Sequence, residues 1–312
     1  MGTSLLFVAY TSATHDEPAL RAAFGAAVAE VARLESILSE WRSDSEVSRV
    51  NQSAGSWVTV GPELLGVLDR SLWAGRISEG TFDVTFQVLS DVWKFGTAQD
   101  PVPKIPTRKE IEARRARVDY RRIELDREGS RVRIPPGFQI GLGGIAKGYI
   151  VDAAARVLRR HGLTAFLVQA GGDLYGAGRK PDGSPWVSGI QDPRGKSGAF
   201  FATLELEDHA FSTAGDYARA FHVDGKRYHH IIDPRTGYPA TASRSVTVWA
   251  KDALTADAID DAVFILGPEK GLALAESLDD VGVVIVDAKN RVHVSSRLKG
   301  KLHISRPPTD GP

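Results

Sequence analysis

The amino-acid sequence predicts an α+β protein with mixed or antiparallel sheets packed against helices. Three observations carry this. Helix-length and strand-length apolar runs follow one another without the regular βαβ alternation of a doubly wound sheet. Several strand-like runs are separated by short turn signals of the hairpin kind. The composition, 42% hydrophobic and 25% charged over 312 residues, is that of a folded chain long enough for a sizeable core.

The elements follow in order. Residues 4–10 read as a first strand. Pro18 sits near the start of a helix whose Leu20, Phe24, Val28, Val31 and Leu34 share one face. The polar run 39–51 breaks that pattern. Pro62 opens a second helix with Leu65, Leu68 and Leu72 inward, ending near Gly80. Pro101, Pro103 and Pro106 mark a loop, and Thr107 with Glu110 has the capping-box pattern of a short helix. Residues 108–133 are rich in arginine, but interleaved acids make a solvated helix and hairpin the favoured reading over a phosphate patch. Gly141, Gly143 and Gly144 lead into a helix over about 146–161, ended by Gly162. Residues 165–169 form a buried strand before Gly171-Gly172-Asp173. Strands follow at 186–190, 199–206 and 245–249. A helix spans 255–266 and closes at Gly267, and a terminal hairpin spans 281–286 and 292–295. Residues 1–303 read as one domain, with a Pro- and Arg-rich peripheral subregion at 98–138. Residues 304–312 read as a loose tail.

Composition excludes several classes. Lys+Arg and Asp+Glu are 39 each, so no global field collects nucleic acid or an anionic membrane. There is no cysteine, which removes disulfides, zinc–thiolate sites and thiol nucleophiles. No segment reaches the roughly 18 apolar residues that span a bilayer. A Gly-x-Ser-x-Gly elbow and a His-Glu-x-x-His zinc motif are both absent from the sequence.

Four segments could carry chemistry. The run Gly-Leu-Gly-Gly-Ile-Ala-Lys-Gly-Tyr at 141–149 enters a helix. Free amides there, with Lys147, suit a phosphate or pyrophosphate, although a tight strand-to-helix turn reads as well. Asp257 and Asp261 stand four apart on one helix face, with Asp260 expected to point elsewhere; oxygen ligands of this kind suit Mg²⁺ or Ca²⁺, or else form a solvated acidic face. His229 and His230 fall on opposite sides of an extended segment, so one of them faces a given site and could serve as a general base. The run at 212–217, Ser-Thr-Ala-Gly-Asp-Tyr, says only turn.

Together these segments are more specific. They are accompanied by Met-Gly-Thr at 1–3, Leu-Ser-Glu-Trp-Arg at 38–42, Gly-Thr-Phe-Asp-Val-Thr at 80–85, Trp-Lys-Phe-Gly at 93–96, Gly-Gly-Asp at 171–173 and His-Ile-Ile-Asp-Pro-Arg-Thr-Gly at 230–237. In this order the sequence resembles the FAD:protein FMN transferase family, the ApbE-type flavin transferases of bacteria, from residue 1 to about 298. The resemblance implies one ApbE-like domain that binds FAD as substrate with Mg²⁺. FMN would pass to a Ser or Thr hydroxyl of an acceptor flavoprotein, and AMP would leave.

The family's roles map onto this chain residue by residue. Asp257, Asp261 and the Gly144 carbonyl would hold the metal. Lys147 would offset phosphate charge, and His230 would take the hydroxyl proton. Met1, Trp41, Thr81, Phe82, Asp83, Gly141, Lys147 and Ile231 would contact the flavin nucleotide. Three positions depart from the family pattern. Gly141 stands where Asp is common, Asp261 where Thr is usual, and Trp41 where Tyr is usual. The same residues also fit a metal-dependent FAD pyrophosphatase, and the departures leave room for a non-catalytic flavin-binding protein. Family members commonly sit at the periplasmic side of the inner membrane, so a cell-envelope location is expected if a leader is missing, and a cytoplasmic one otherwise. Membrane contact would come only through such a leader.

Overall fold

A computed structural model describes residues 3–95 and 102–311. Met1, Gly96 and Pro101 of the sequence reading lie outside them. The core is a seven-stranded antiparallel sheet. Its order is Leu5–Ala9, Phe166–Ala170, Asp173–Ala177, His209–Gly215, Ser243–Ala250, Val281–Asp287 and Val292–Val294. Three helices cover one face: Glu17–Leu38, Ala146–Arg160 (the lysine helix) and Ala253–Ser277 (the aspartate helix). A three-stranded sheet, Leu302–Ile304, Phe200–Leu206 and Trp186–Gln191, packs over part of the other face. Side chains alternate across a strand, so Leu174, Phe211 and Trp249 meet this small sheet, while Tyr175, Ala210, Ala214 and Val248 meet the helices. That alternation also turns Asp173 and Ser212 toward the helices.

Each helix has a local reason to start or stop. Asp16 caps the first, its carboxylate accepting from the Ala19 amide at 2.9 Å. Asp252 caps the aspartate helix through the Thr255 amide at 2.7 Å. That helix breaks at Gly267, which has φ of 75° and is followed by Pro268, and resumes to Ser277. The expected close at Gly267 is therefore an internal kink.

A second core joins Pro62–Ile77 and Glu46–Gln52 to a small sheet of Val58–Thr59, Arg131–Arg133 and Glu124–Asp126. The subregion expected to be peripheral contributes to it: Ile123, Val132, Ile134 and Phe138 are buried there. Its arginines instead face solvent in local ion pairs, such as Arg108–Glu112, Arg121–Asp119 and Arg133–Glu124. The tail is likewise not loose. The Thr309 amide and hydroxyl donate to Asp192, Asn290 donates to the Pro308 carbonyl, and Arg244 pairs with Asp310. Those side-chain partners lie far away in sequence, so composition alone misreads the segment. Among the described residues, no helix is long and apolar enough to cross a membrane.

Candidate active site

The glycine-rich run forms the entry to the lysine helix, which crosses the first turns of the aspartate helix very closely. A side chain at Gly148 would put its Cβ 2.1 Å from the Ala253 carbonyl oxygen. Glycine is required here by the helix–helix approach. The contact lets the Gly148 amide donate to Asp257 Oδ2 at 2.9 Å. Lys147 then reaches Asp257 Oδ1 at 2.9 Å and Asp173 Oδ2 at 2.6 Å.

The second half of the cluster comes from the sheet. Ser212, on His209–Gly215, contacts Asp173 Oδ1 and lies 2.6 Å from Asp260 Oδ2. Asp260 Oδ1 accepts from the Asp261 amide. Asp173, Asp257 and Asp260 are all buried, with one carboxylate oxygen from each within 4.8 Å of the others. The expectation that Asp260 points elsewhere is thus corrected. The aspartate helix lies flat on the sheet, so the position three residues after Asp257 turns down onto Ser212. Asp261 lies instead against the glycine run, its Oδ2 3.1 Å from where a Gly144 Cβ would be.

The electrostatics follow from crowding. Burial alone would lower the Lys147 ammonium, but Asp173, Asp257 and Asp260 hold it well above its ordinary value. Burial and the neighbouring Asp173 push Asp257 up to about 7 against the pull of Lys147. Burial raises Asp261 to about 6. Burial, Asp261 and Asp257 raise Asp260 strongly. Ser212 has a single hydroxyl proton and two carboxyl neighbours, so it can donate to only one of them. A proton carried on Asp260 completes the set.

The two histidines differ in their partners, and the strand Lys226–His229 ends before His230. His229 is buried and its Nε2 bonds the Ala240 carbonyl at 2.7 Å. His230 has a buried Nδ1 with no hydrogen-bond partner among the described residues. Burial, with His229 and Arg219 nearby, lowers His230 to about 4, so its ring is neutral at physiological pH. The turn after it is tied by hydrogen bonds. Asp233 accepts from the Arg235 amide and guanidinium, the Gly237 amide donates to the Asp233 carbonyl at 2.8 Å, and Trp93 Nε1 donates to the Gly237 carbonyl.

The expected flavin contacts fall into two kinds. Trp41 is 81% exposed and free to stack. Thr81, Phe82, Asp83 and Ile231 are buried. Thr81 Oγ1 donates to the Ser78 carbonyl, and Asp83 accepts from Thr85 and the Tyr120 amide, so these polar groups already hold their own loop. Phe82 reaches the glycine run, its ring 3.4 Å from a Gly144 Cβ position. Gly141 sits where Gln87 Oε1 occupies side-chain space, 2.2 Å from a would-be Cβ. An aspartate at 141 would have to displace Gln87. Reasoning from sequence assigned no role to Asp173, Ser212 or Gly148. The Gly171-Gly172 pair before Asp173 was a usable signal; Ser212 had none, because its role depends on which strands pair.

A three-layer α+β fold that gathers one lysine and four carboxylates beside a glycine-rich helix entry matches solved flavin transferases over nearly its full length. A structure of the flavinyl transferase ApbE from Pseudomonas stutzeri covers 96% of this chain and 97% of its own, at 32% identity and a TM-score of 0.81. The ApbE protein from Thermotoga maritima covers 95% and 98%, at 31% identity and a TM-score of 0.84. In sequence, the FAD:protein FMN transferase of Escherichia coli K12 is 35% identical over 240 residues, which is 75% of this chain and 68% of that protein. The model of the ApbE family matches residues 1–285. The chain belongs to the ApbE family and, with it, to the flavin transferases.

Proposed function

We propose that this protein transfers FMN from FAD to a Ser or Thr hydroxyl of an acceptor flavoprotein, with Mg²⁺ at the aspartate cluster. The observation that carries the reading is the cluster itself: one ammonium set among four carboxylates, within electrostatic reach of His230, whose buried Nδ1 has no hydrogen-bond partner among the described residues. Even with Asp260 protonated, a single Lys147 cannot balance Asp173, Asp257 and Asp261 once these are ionised. The surplus, made of hard oxygen donors, fits Mg²⁺ better than a soft metal. Asp257 belongs both to the set expected from the family pattern, with Asp261 and the Gly144 carbonyl, and to the close group with Asp173 and Asp260. It is therefore the ligand named first. When bound, the ion would withdraw charge from the pyrophosphate oxygens.

The chain's own groups supply the rest. The ammonium of Lys147 would sit against the phosphates and offset charge that builds on their oxygens. Neutral His230 would take the acceptor hydroxyl's proton as its oxygen bonds to the flavin-side phosphorus and the bond to AMP breaks. Trp41 would cover a flat ring of the nucleotide.

The test is an acceptor-peptide assay with FAD, with and without Mg²⁺, on wild type and His230→Ala. We expect a covalent flavin adduct that is lost on chelation. The His230→Ala rate should fall by about 10²–10⁴-fold, the range for a general base. AMP release at full rate without any acceptor would replace transfer by hydrolysis. An undiminished His230→Ala rate would remove the assigned base.

A further inference from the structure

We infer that a second anion site, for a phosphate-bearing small molecule, lies on the far flank of the two crossing helices. A cavity of about 420 Å³ opens there, and none of the residues lining it belongs to the aspartate cluster. Arg70, Arg156, Arg159 and Lys251 supply four cations, and Tyr149 and Tyr175 supply two aromatic walls.

The acids in the cavity are already engaged. Asp152 accepts from the Ala253 and Leu254 amides at 2.8 and 3.0 Å. Asp252 caps the same helix through Thr255. The helix N-terminus is thus satisfied internally and is not the source of the attraction. Burial further pushes Asp152 up to about 7, which thins the negative charge facing the arginines. Nearby Glu30 and Glu63 both pair with Arg33.

The cations, by contrast, are only partly matched. Arg159 donates to Asp208 at 2.7 Å and to the Tyr175 hydroxyl at 3.0 Å. Arg70 donates to Thr255 Oγ1 and stacks on Trp73. Arg156 lies over the Tyr149 ring, 5.8 Å from its centre, and acts on Asp152 and Glu30 only through space. Among the described residues, Arg156 and Lys251 have no carboxylate within ion-pair range. Two guanidinium forks from the lysine helix, a third from Pro62–Ile77 and the Lys251 ammonium line one cavity, a donor set that matches the oxygens of a phosphate group. The volume accommodates a ligand of nucleotide size.

The experiment is calorimetric titration of inorganic pyrophosphate into the full chain in EDTA. The comparison set is wild type, Arg156→Ala/Lys251→Ala and Lys147→Met. Both mutated cations of the double variant are exposed, so the fold should survive their loss. We expect sub-millimolar binding that weakens at least tenfold in the double variant and persists in Lys147→Met. Equal binding in the double variant would overturn the inference, as would no measurable binding to wild type at millimolar pyrophosphate. Loss in Lys147→Met alone would do the same, since it would place the ligand at the aspartate cluster. Citrate binding as tightly as pyrophosphate would overturn the assignment to phosphate. None of these readouts depends on flavin transfer.

Discussion

Replacing Lys147 by Met should destabilise the metal-free protein in a pH-dependent way. The substitution keeps the aliphatic stem and removes the ammonium that sits 2.6 Å from Asp173 and 2.9 Å from Asp257. Breaking a buried ion pair by removing one partner costs about 3–5 kcal/mol. The Lys147 side chain is 36% exposed, so water screens part of this, and about 2–3 kcal/mol is expected at pH 8. At about 2–4 °C per kcal/mol for a large domain, the melting temperature should fall by roughly 4–12 °C.

The sign with pH follows from the raised carboxyls. Asp257 and Asp261 titrate at about 7 and about 6 in the folded chain, above their unfolded values. Between pH 4 and 7 the folded state therefore holds more protons than the unfolded state, so stability falls as pH rises through that window. Removing Lys147 pushes the carboxyls higher still and steepens the fall. At pH 5.5 the carboxyls carry protons and the loss should be half or less of that at pH 8. Thermal melts of both proteins in EDTA at the two pH values check this, and added Mg²⁺ should recover part of the pH 8 loss. An equal loss at both pH values would refute the electrostatic account, and so would a more stable variant at pH 8.

Three further outcomes are expected. Asp260→Asn should melt within about 1 kcal/mol of wild type and keep Mg²⁺-dependent turnover, because an amide can accept from the Asp261 amide and donate to Ser212 as a protonated carboxyl does; loss of the Mg²⁺ response would instead make Asp260 a charged ligand. Trp41→Ala should change stability by less than about 0.5 kcal/mol, since the ring is exposed, while raising the KM for FAD in steady-state assays. Gly148→Ala should lower stability by about 1–3 kcal/mol in denaturant titration, because the methyl would meet the Ala253 carbonyl at 2.1 Å.

How much of this was legible depended on whether the signal was local. The long helices were readable because Leu20, Val31 and Leu34 recur at helical spacing and bury as a stripe. The break at Gly267 was readable because only glycine takes φ of 75° cheaply. Lys147 and Asp257 were visible as residues, yet nothing in their spacing says that they touch. That contact needs two helices to cross at Gly148. Asp173 and Ser212 meet because Asp173–Ala177 pairs with His209–Gly215, a register no single segment encodes. The tail misled for the same reason, since Asp192 holds Thr309 across 117 residues.

The same logic bears on Asp261, where the resemblance leads to an expectation of threonine. Asp260 and Asp261 are adjacent, but they face different surroundings, one the sheet and Ser212, the other the glycine run at Gly144. A proton on Asp260 removes one of the four negative charges, so the extra carboxylate at 261 leaves the site no more anionic than it would be with Asp260 ionised and an uncharged residue at 261. Ser212 links the two halves of that exchange. Its single hydroxyl proton requires one of its carboxyl neighbours to be protonated, and the more crowded Asp260 is the one that holds it.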